Sequence, residues 1–119
     1  MAKVTTYDVT PVPKPRMTQR DKWKKRPVVL RYHAFKDQVR DSGLTIPTSG
    51  AHVCFVMPMA KSWTKQRSIV MEGQPHEQRP DLDNLLKALG DALFEDDSCI
   101  WDIRVTKVWG KEGKIKVRI

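Results

Sequence analysis

Five leucines place the strongest constraint on this chain. Leu82, Leu85, Leu86, Leu89 and Leu93 recur at spacings of three and four within "RPDLDNLLKALGDALFEDD", residues 79–97. That spacing predicts an amphipathic helix from Leu82 to Phe94, whose apolar wall must be buried against another layer. Pro80 disfavours helix at Arg79 and suits a helix entry at its own position. Asp81 is then the extended or N-cap residue, and Asp83 lies in the first turn. Asp83, Lys87 and Asp91 stand at i, i+4 and i+8, on a polar face away from the leucines.

The rest of the chain supplies that second layer. Lys3–Val9 reads as a first strand, and Pro11, Pro13 and Pro15 stop it. Val28, Tyr32, Phe35 and Val39 give a helix over Pro27–Arg40, with Gly43 as its stop. Ala51–Met59 is almost wholly apolar and reads as a buried strand. Lys61–Arg67 reads as a short basic helix and Ser68–Glu77 as a loop. "IRVTKVW" and "KIKVRI" alternate, and "GKEG" joins them as a hairpin. No repeat or domain boundary interrupts residues 1–119. The expected architecture is one small α+β domain, with a mixed sheet of about four strands and two main helices.

Charge narrows the function. Lys plus Arg outnumber Asp plus Glu by 22 to 14 and the net charge is +8, which favours a polyanionic partner such as nucleic acid. The cations concentrate in a basic loop at 14–26, with Lys14, Arg16, Arg20, Lys22, Lys24, Lys25 and Arg26, and again at Lys61, Lys65 and Arg67. Trp23 sits among the first group, suited to stacking on a base or to anchoring the loop. Cys54 and Cys99 lie in apolar runs and read as reduced core residues. His33, His52 and His76 share no zinc-ligand spacing; His52 reads as a strand residue and His76 as a solvated loop residue. Lys107 reads as an ordinary outward strand residue. No stretch approaches the roughly 18 apolar residues of a membrane helix, and "MAKVTTYDVTPVPKPR" lacks the apolar core of a secretory signal. The expected location is the cytoplasm.

Against that positive background, residues 79–97 gather six carboxylates. One reading is helix capping and dipole complementarity, for which Asp at a helix start is favoured. The chain is then a non-enzymatic nucleic-acid-binding module. Capping does not explain Asp96 and Asp97, which lie where the dipole disfavours acids. The other reading is that a cation neutralises the cluster. Oxygen ligands of this kind suit Mg²⁺ or Mn²⁺. A carboxylate metal site beside Lys87, in a basic chain, points to phosphodiester cleavage.

The stretch "RPDLDNLLKALGDAL" followed by "EDD" resembles the signature of the RusA-type endonucleases, phage- and prophage-associated Holliday-junction resolvases. Asp81, Asp83, Asn84, Lys87, Asp91, Asp96 and Asp97 all fit its pattern. "KPRMT", "YHAFKDQVR" and the strand ending in "MP" extend the resemblance over most of the chain. The resemblance implies a RusA-like fold and a Mg²⁺-dependent homodimer that resolves four-way DNA junctions by symmetric paired nicks in recombination and repair. It implies that Asp81, Asp83 and Asp97 are catalytic metal ligands and Lys87 the catalytic lysine. Asn84, Asp91 and Asp96 are expected to support them from behind. The Phe94-Glu95 link to Asp96 is shorter than in some relatives, so the helix end and the direction of Asp97 are expected to differ. The apolar strand "AHVCFVMPM" and the tryptophans are candidate dimer-interface material.

Overall fold

The computed structural model describes residues 3–16 and 26–119. Four runs rich in β-branched residues form one mixed sheet: β1 (Val4–Tyr7), β2 (Ser49–Pro58), β3 (Asp102–Gly110) and β4 (Lys114–Arg118). The strand order is β1-β4-β2-β3. β4 runs antiparallel to both β1 and β2, whereas β2 and β3 are parallel. The helices are α1 (Pro27–Asp41), α2 (Lys65–Met71) and α3 (Leu82–Leu93), followed by a 3₁₀ turn at Asp97–Cys99. The small α+β architecture matches the expectation from the sequence.

Of the five leucines of α3, Leu85 and Leu89 are buried, Leu82 and Leu93 pack half-buried against the core, and Leu86 is half-buried outside it. Leu85, Ala88, Leu89 and Ala92 join Tyr32, Phe35 and Val39 of α1 in one core. Val53, Phe55 and Met57 of β2, with Ile115 and Val117 of β4, complete it. Leu85 and Leu89 are fully buried, so truncating either to Ala would cost about 2–5 kcal/mol. In α1 the buried stripe is Val29, Tyr32, Phe35 and Val39. Val28 is only half-buried and faces an apolar groove with Pro11, Val12, Met57 and Pro80. Gly43, at φ 75°, takes the left-handed conformation that ends the helical region.

Three expectations change. The β3–β4 link is not a hairpin, because β2 lies between the two strands. Gly110 crosses the end of β2 so closely that a Cβ there would fall 2.3 Å from Val56 Cγ1. β2 therefore occupies the sheet interior with a partner on each side, so "AHVCFVMPM" offers no free strand edge. The basic segment at 61–67 turns before it becomes helical: Thr64 caps α2 by accepting from the Arg67 amide at 3.2 Å. The helix then runs on to Met71, into the expected loop. Cys54 is half-buried and Cys99 is exposed, both as free thiols.

β3 would be a bare edge strand, which invites pairing with another chain. The segment after α2 covers it. Gly73 N–H donates to Trp109 O (2.9 Å), Trp109 N–H to Gln74 O (3.0 Å) and His76 N–H to Lys107 O (3.0 Å). This strap leads directly into α3. No helix among the described residues is long and apolar enough to cross a membrane.

Candidate active site

Asp81 sits at the N-cap of α3 in extended conformation (φ −68°, ψ 143°), yet its side chain makes no capping hydrogen bond. The capping reading therefore fails at the residue it most needs. The carbonyl of Asp81 accepts the first helical bond, from Leu85 N–H at 3.2 Å, while its carboxylate is exposed. The preceding Arg79–Pro80 peptide is cis. Pro13, Lys14, Arg79, Pro80, Asp81 and Asn84 line a shallow cleft of about 460 Å³. Arg79, the Asp81 carboxylate and the Asn84 amide thus share one space, at whose edge Lys14 is paired with Asp91. The Asn84 carbonyl accepts from the Lys14 amide (3.1 Å) and pins the proline-rich segment across the first turn of the helix.

Asp83 and Lys87 lie one turn apart on α3, 3.8 Å between charged atoms, and are 70% and 58% exposed. An exposed pair of this kind contributes only about 0.3–0.5 kcal/mol, so neither side chain is committed to stability. Asp97 returns to the same helix from the far side of its C-terminus. α3 ends at Leu93, with Phe94 extended, and Asp97 opens the 3₁₀ turn. Its carboxylate packs over Gly90: a Cβ on Gly90 would lie 3.0 Å from Asp97 Cβ and 3.1 Å from Oδ2. Gly90 falls on the Asp83–Lys87 stripe by helical periodicity, roughly 10 Å along the axis from Asp83. Among the described residues, no three His, Cys, Asp or Glu side chains converge as a metal-holding group. Asp81, Asp83 and Asp97 share α3 and its caps without forming a closed cage.

Asp91 and Asp96 are occupied differently. Asp91 accepts from the Tyr32 hydroxyl and pairs with Lys14 Nζ at 2.7 Å. Burial pushes its carboxyl upward, but the hydrogen bonds from Lys14 and Tyr32 and the charges of Lys14 and Lys36 outweigh this and hold it below the usual value. Burial, and then Asp91 itself, raise the Tyr32 phenol. Asp91 thus ties α1, α3 and the proline-rich segment together. Arg40 Nε adds a bond to Ala92 O at 3.0 Å. Asp96 caps the 3₁₀ turn through Ser98 N–H (2.9 Å), and the bonds from Ser98 lower its carboxyl.

The expected DNA-binding residues divide into four groups. Lys14 spends its ammonium on Asp91. Arg26 donates to Arg16 O at 2.8 Å, which brings together the two ends of the segment between them. Arg20, Lys22, Trp23, Lys24 and Lys25 lie outside the described residues. Lys61, Lys65 and Arg67 are exposed, and the Arg67 guanidinium lies 4.1 Å over the Trp63 ring.

Sequence reasoning missed three residues that build this site. His76 is buried, at 6% exposure, rather than solvated. Its ring packs tilted against Trp109, 4.2 Å between centroids, and Trp109 packs likewise against Trp63 at 4.7 Å. Its Nδ1 has no partner among the described residues, and burial, then the Lys107 charge, hold it below the ordinary imidazole value. Lys107 is not an ordinary outward residue: its Nζ donates to Gln78 O and Pro80 O, both at 2.6 Å. Gly90 was the one legible signal, since a glycine inside a helical run marks a close approach.

No curated protein matches this chain. A family model described as endodeoxyribonuclease RusA matches residues 8–119, nearly the entire chain. The chain belongs to the RusA endodeoxyribonuclease family.

Proposed function

We propose that this member of the RusA endodeoxyribonuclease family is a Mg²⁺-dependent resolvase that nicks four-way DNA junctions in recombination and repair. The observation that carries the reading is the return of Asp97 onto Gly90 of the helix that presents Asp81, Asp83 and Lys87. Three exposed carboxylates and an ammonium are then carried by one helix and the residues at its two ends. The donors are hard oxygens, which fit Mg²⁺ and, as a substitute, Mn²⁺. Their open arrangement also fits Mg²⁺, which is commonly bound by one or two carboxylates with substrate phosphate and water completing the shell. Asp81, Asp83 and Asp97 would hold it. When bound, the metal supplies an activated water and charge neutralisation at phosphorus.

The side chains do the remaining work. Arg79, with the backbone amides at the start of α3, draws a phosphate toward the cleft beside Asp81. Lys87 stands on the exposed face, where its ammonium stabilises charge building on the phosphoryl or leaving oxygen. The cations at 61–67 and in the 14–26 segment hold the duplex arms. Two opposed nicks need two such surfaces, and a C2 homodimer supplies them with matching symmetry. Junction DNA as substrate implies a cytoplasmic site of action, in a bacterial or phage-infected cell.

The test is a gel assay on a synthetic four-way junction, with sedimentation of the same preparation. Wild type should bind without metal, nick two opposed strands with Mg²⁺, and sediment at twice 13.7 kDa. Asp83→Asn keeps the shape but removes a ligand charge, and should bind undiminished without cutting. Cutting by Asp83→Asn at the wild-type rate refutes the metal reading, and a strict monomer that resolves junctions refutes the dimer.

A further inference from the structure

The strap that covers β3 ends where α3 begins, and one side chain fixes that junction. Lys107 extends from β3 across the strap and places Nζ 2.6 Å from two carbonyls, those of Gln78 and Pro80. Its own carbonyl accepts from His76 N–H at 3.0 Å. A single residue therefore holds residues 76–80 at both ends. The Pro80 carbonyl belongs to the peptide that joins Asp81. Among the described residues, the other anchors near this stretch are the His76 ring against Trp109 and, beyond Asp81, the helix itself. An ammonium that binds two carbonyls satisfies polar groups that otherwise face solvent, and bonds of this charged type are the strong ones.

We infer that Lys107 is a positioning residue for Asp81: it fixes the backbone that aims this carboxylate, and so sets metal affinity without touching DNA. The inference rests on the function proposed above. Supporting groups behind a metal ligand commonly govern affinity by about 10–100-fold. Lys107→Met keeps the aliphatic stem and deletes the donors. It should raise the Mg²⁺ concentration for half-maximal cleavage by about tenfold, with the rate at saturating Mg²⁺ reduced much less. Junction binding without metal should be unchanged. Lys107→Arg, which retains charge and several donors, should recover most of the affinity.

Two measurements on the metal-free protein do not depend on cleavage. Amide hydrogen exchange over residues 76–85 should quicken in Lys107→Met while exchange in α1 stays as in wild type. Limited acetylation of wild type should modify Lys107 about tenfold more slowly than exposed Lys111 and Lys116, because the amine must leave two charge-assisted bonds to react. The acetylation also stands if the methionine variant does not fold. Equal labelling of the three lysines, an unchanged Mg²⁺ requirement, or a parallel loss of DNA binding would each overturn the assignment. A wild type that never cuts junctions overturns the proposed function instead, and leaves exchange and acetylation to judge Lys107.

Discussion

Gly90→Ala separates stability from catalysis. Gly90 is inside α3 with ordinary helical backbone, so alanine there is conformationally favourable by about 0.8–1 kcal/mol. For a domain of this size that corresponds to roughly 4 °C in Tm. The new methyl group, however, would stand 3.0 Å from Asp97 Cβ and 3.1 Å from its Oδ2. Ordinary van der Waals contact needs several tenths of an ångström more. Asp97 is exposed and lies in a short 3₁₀ turn, so it is the partner that gives way. Displacing a reacting group by about 1 Å costs up to about 10²-fold in rate. A shift of a few tenths should then slow cleavage by about three- to tenfold. The assay pairs thermal unfolding with junction nicking across a Mg²⁺ titration. The expected result is equal or higher Tm with slower nicking that excess Mg²⁺ partly restores. Wild-type nicking in a more stable variant would show that Asp97 is not a ligand. A fall in Tm of several degrees would show that the methyl strains the helix packing rather than the carboxylate.

Asp91→Asn should lower stability by about 1–2 kcal/mol, through weakened charge-assisted bonds from Lys14 and Tyr32, yet reduce nicking less than Asp83→Asn does. Because the folded-state carboxyl lies below its ordinary value of 3.8, the folded protein binds fewer protons than the unfolded chain in that window. The stabilisation is then present above pH 3.8 and lost as pH falls through the depressed value. Urea unfolding at pH 6 and pH 3 should show a smaller acid loss in Asp91→Asn than in wild type, and an identical loss would refute the ion-pair role. Replacing Lys65 and Arg67 together by Ala should reduce the slope of log affinity against log salt by about 2 if both meet phosphates. An unchanged slope in a filter-binding series would remove α2 from the DNA surface.

Legibility in the sequence followed the range of the interaction. The α3 leucines were readable because helix burial repeats every few residues, and the same holds for Tyr32, Phe35 and Val39. Thr64 was a readable cap, which would have moved the start of α2 from Lys61 to Lys65. The β3–β4 hairpin was misread because alternating strands joined by a glycine turn carry no record of a third strand between them. The insertion of β2 is fixed by pairings about fifty residues apart, such as Val53 with Val105. Lys107 and His76 were missed for the same reason. Their partners are two backbone carbonyls and a tryptophan distant in sequence, and backbone acceptors leave no mark on residue identity.

The six acids of residues 79–97 can now be sorted by what holds each one. Asp91 is engaged by Lys14 and Tyr32, and Asp96 by Ser98. Among the described residues Asp83 makes the long, exposed contact with Lys87, and Asp81 makes no cap. Asp97 rests against a glycine that offers no donor side chain. Glu95, exposed beside Lys36 and Arg40, lines a separate cleft beyond the end of α3. Asp91 and Asp96 thus carry structural bonds, whereas Asp81, Asp83 and Asp97 carry none of comparable strength among the described residues, although Glu95 and Asp96 are exposed as well. A helix built only for stability would use Asp81 at its N-cap before any other acid, since that bond contributes about 1 kcal/mol. Its carboxylate instead stands in a cleft with Arg79, where a cation and a phosphate can meet it.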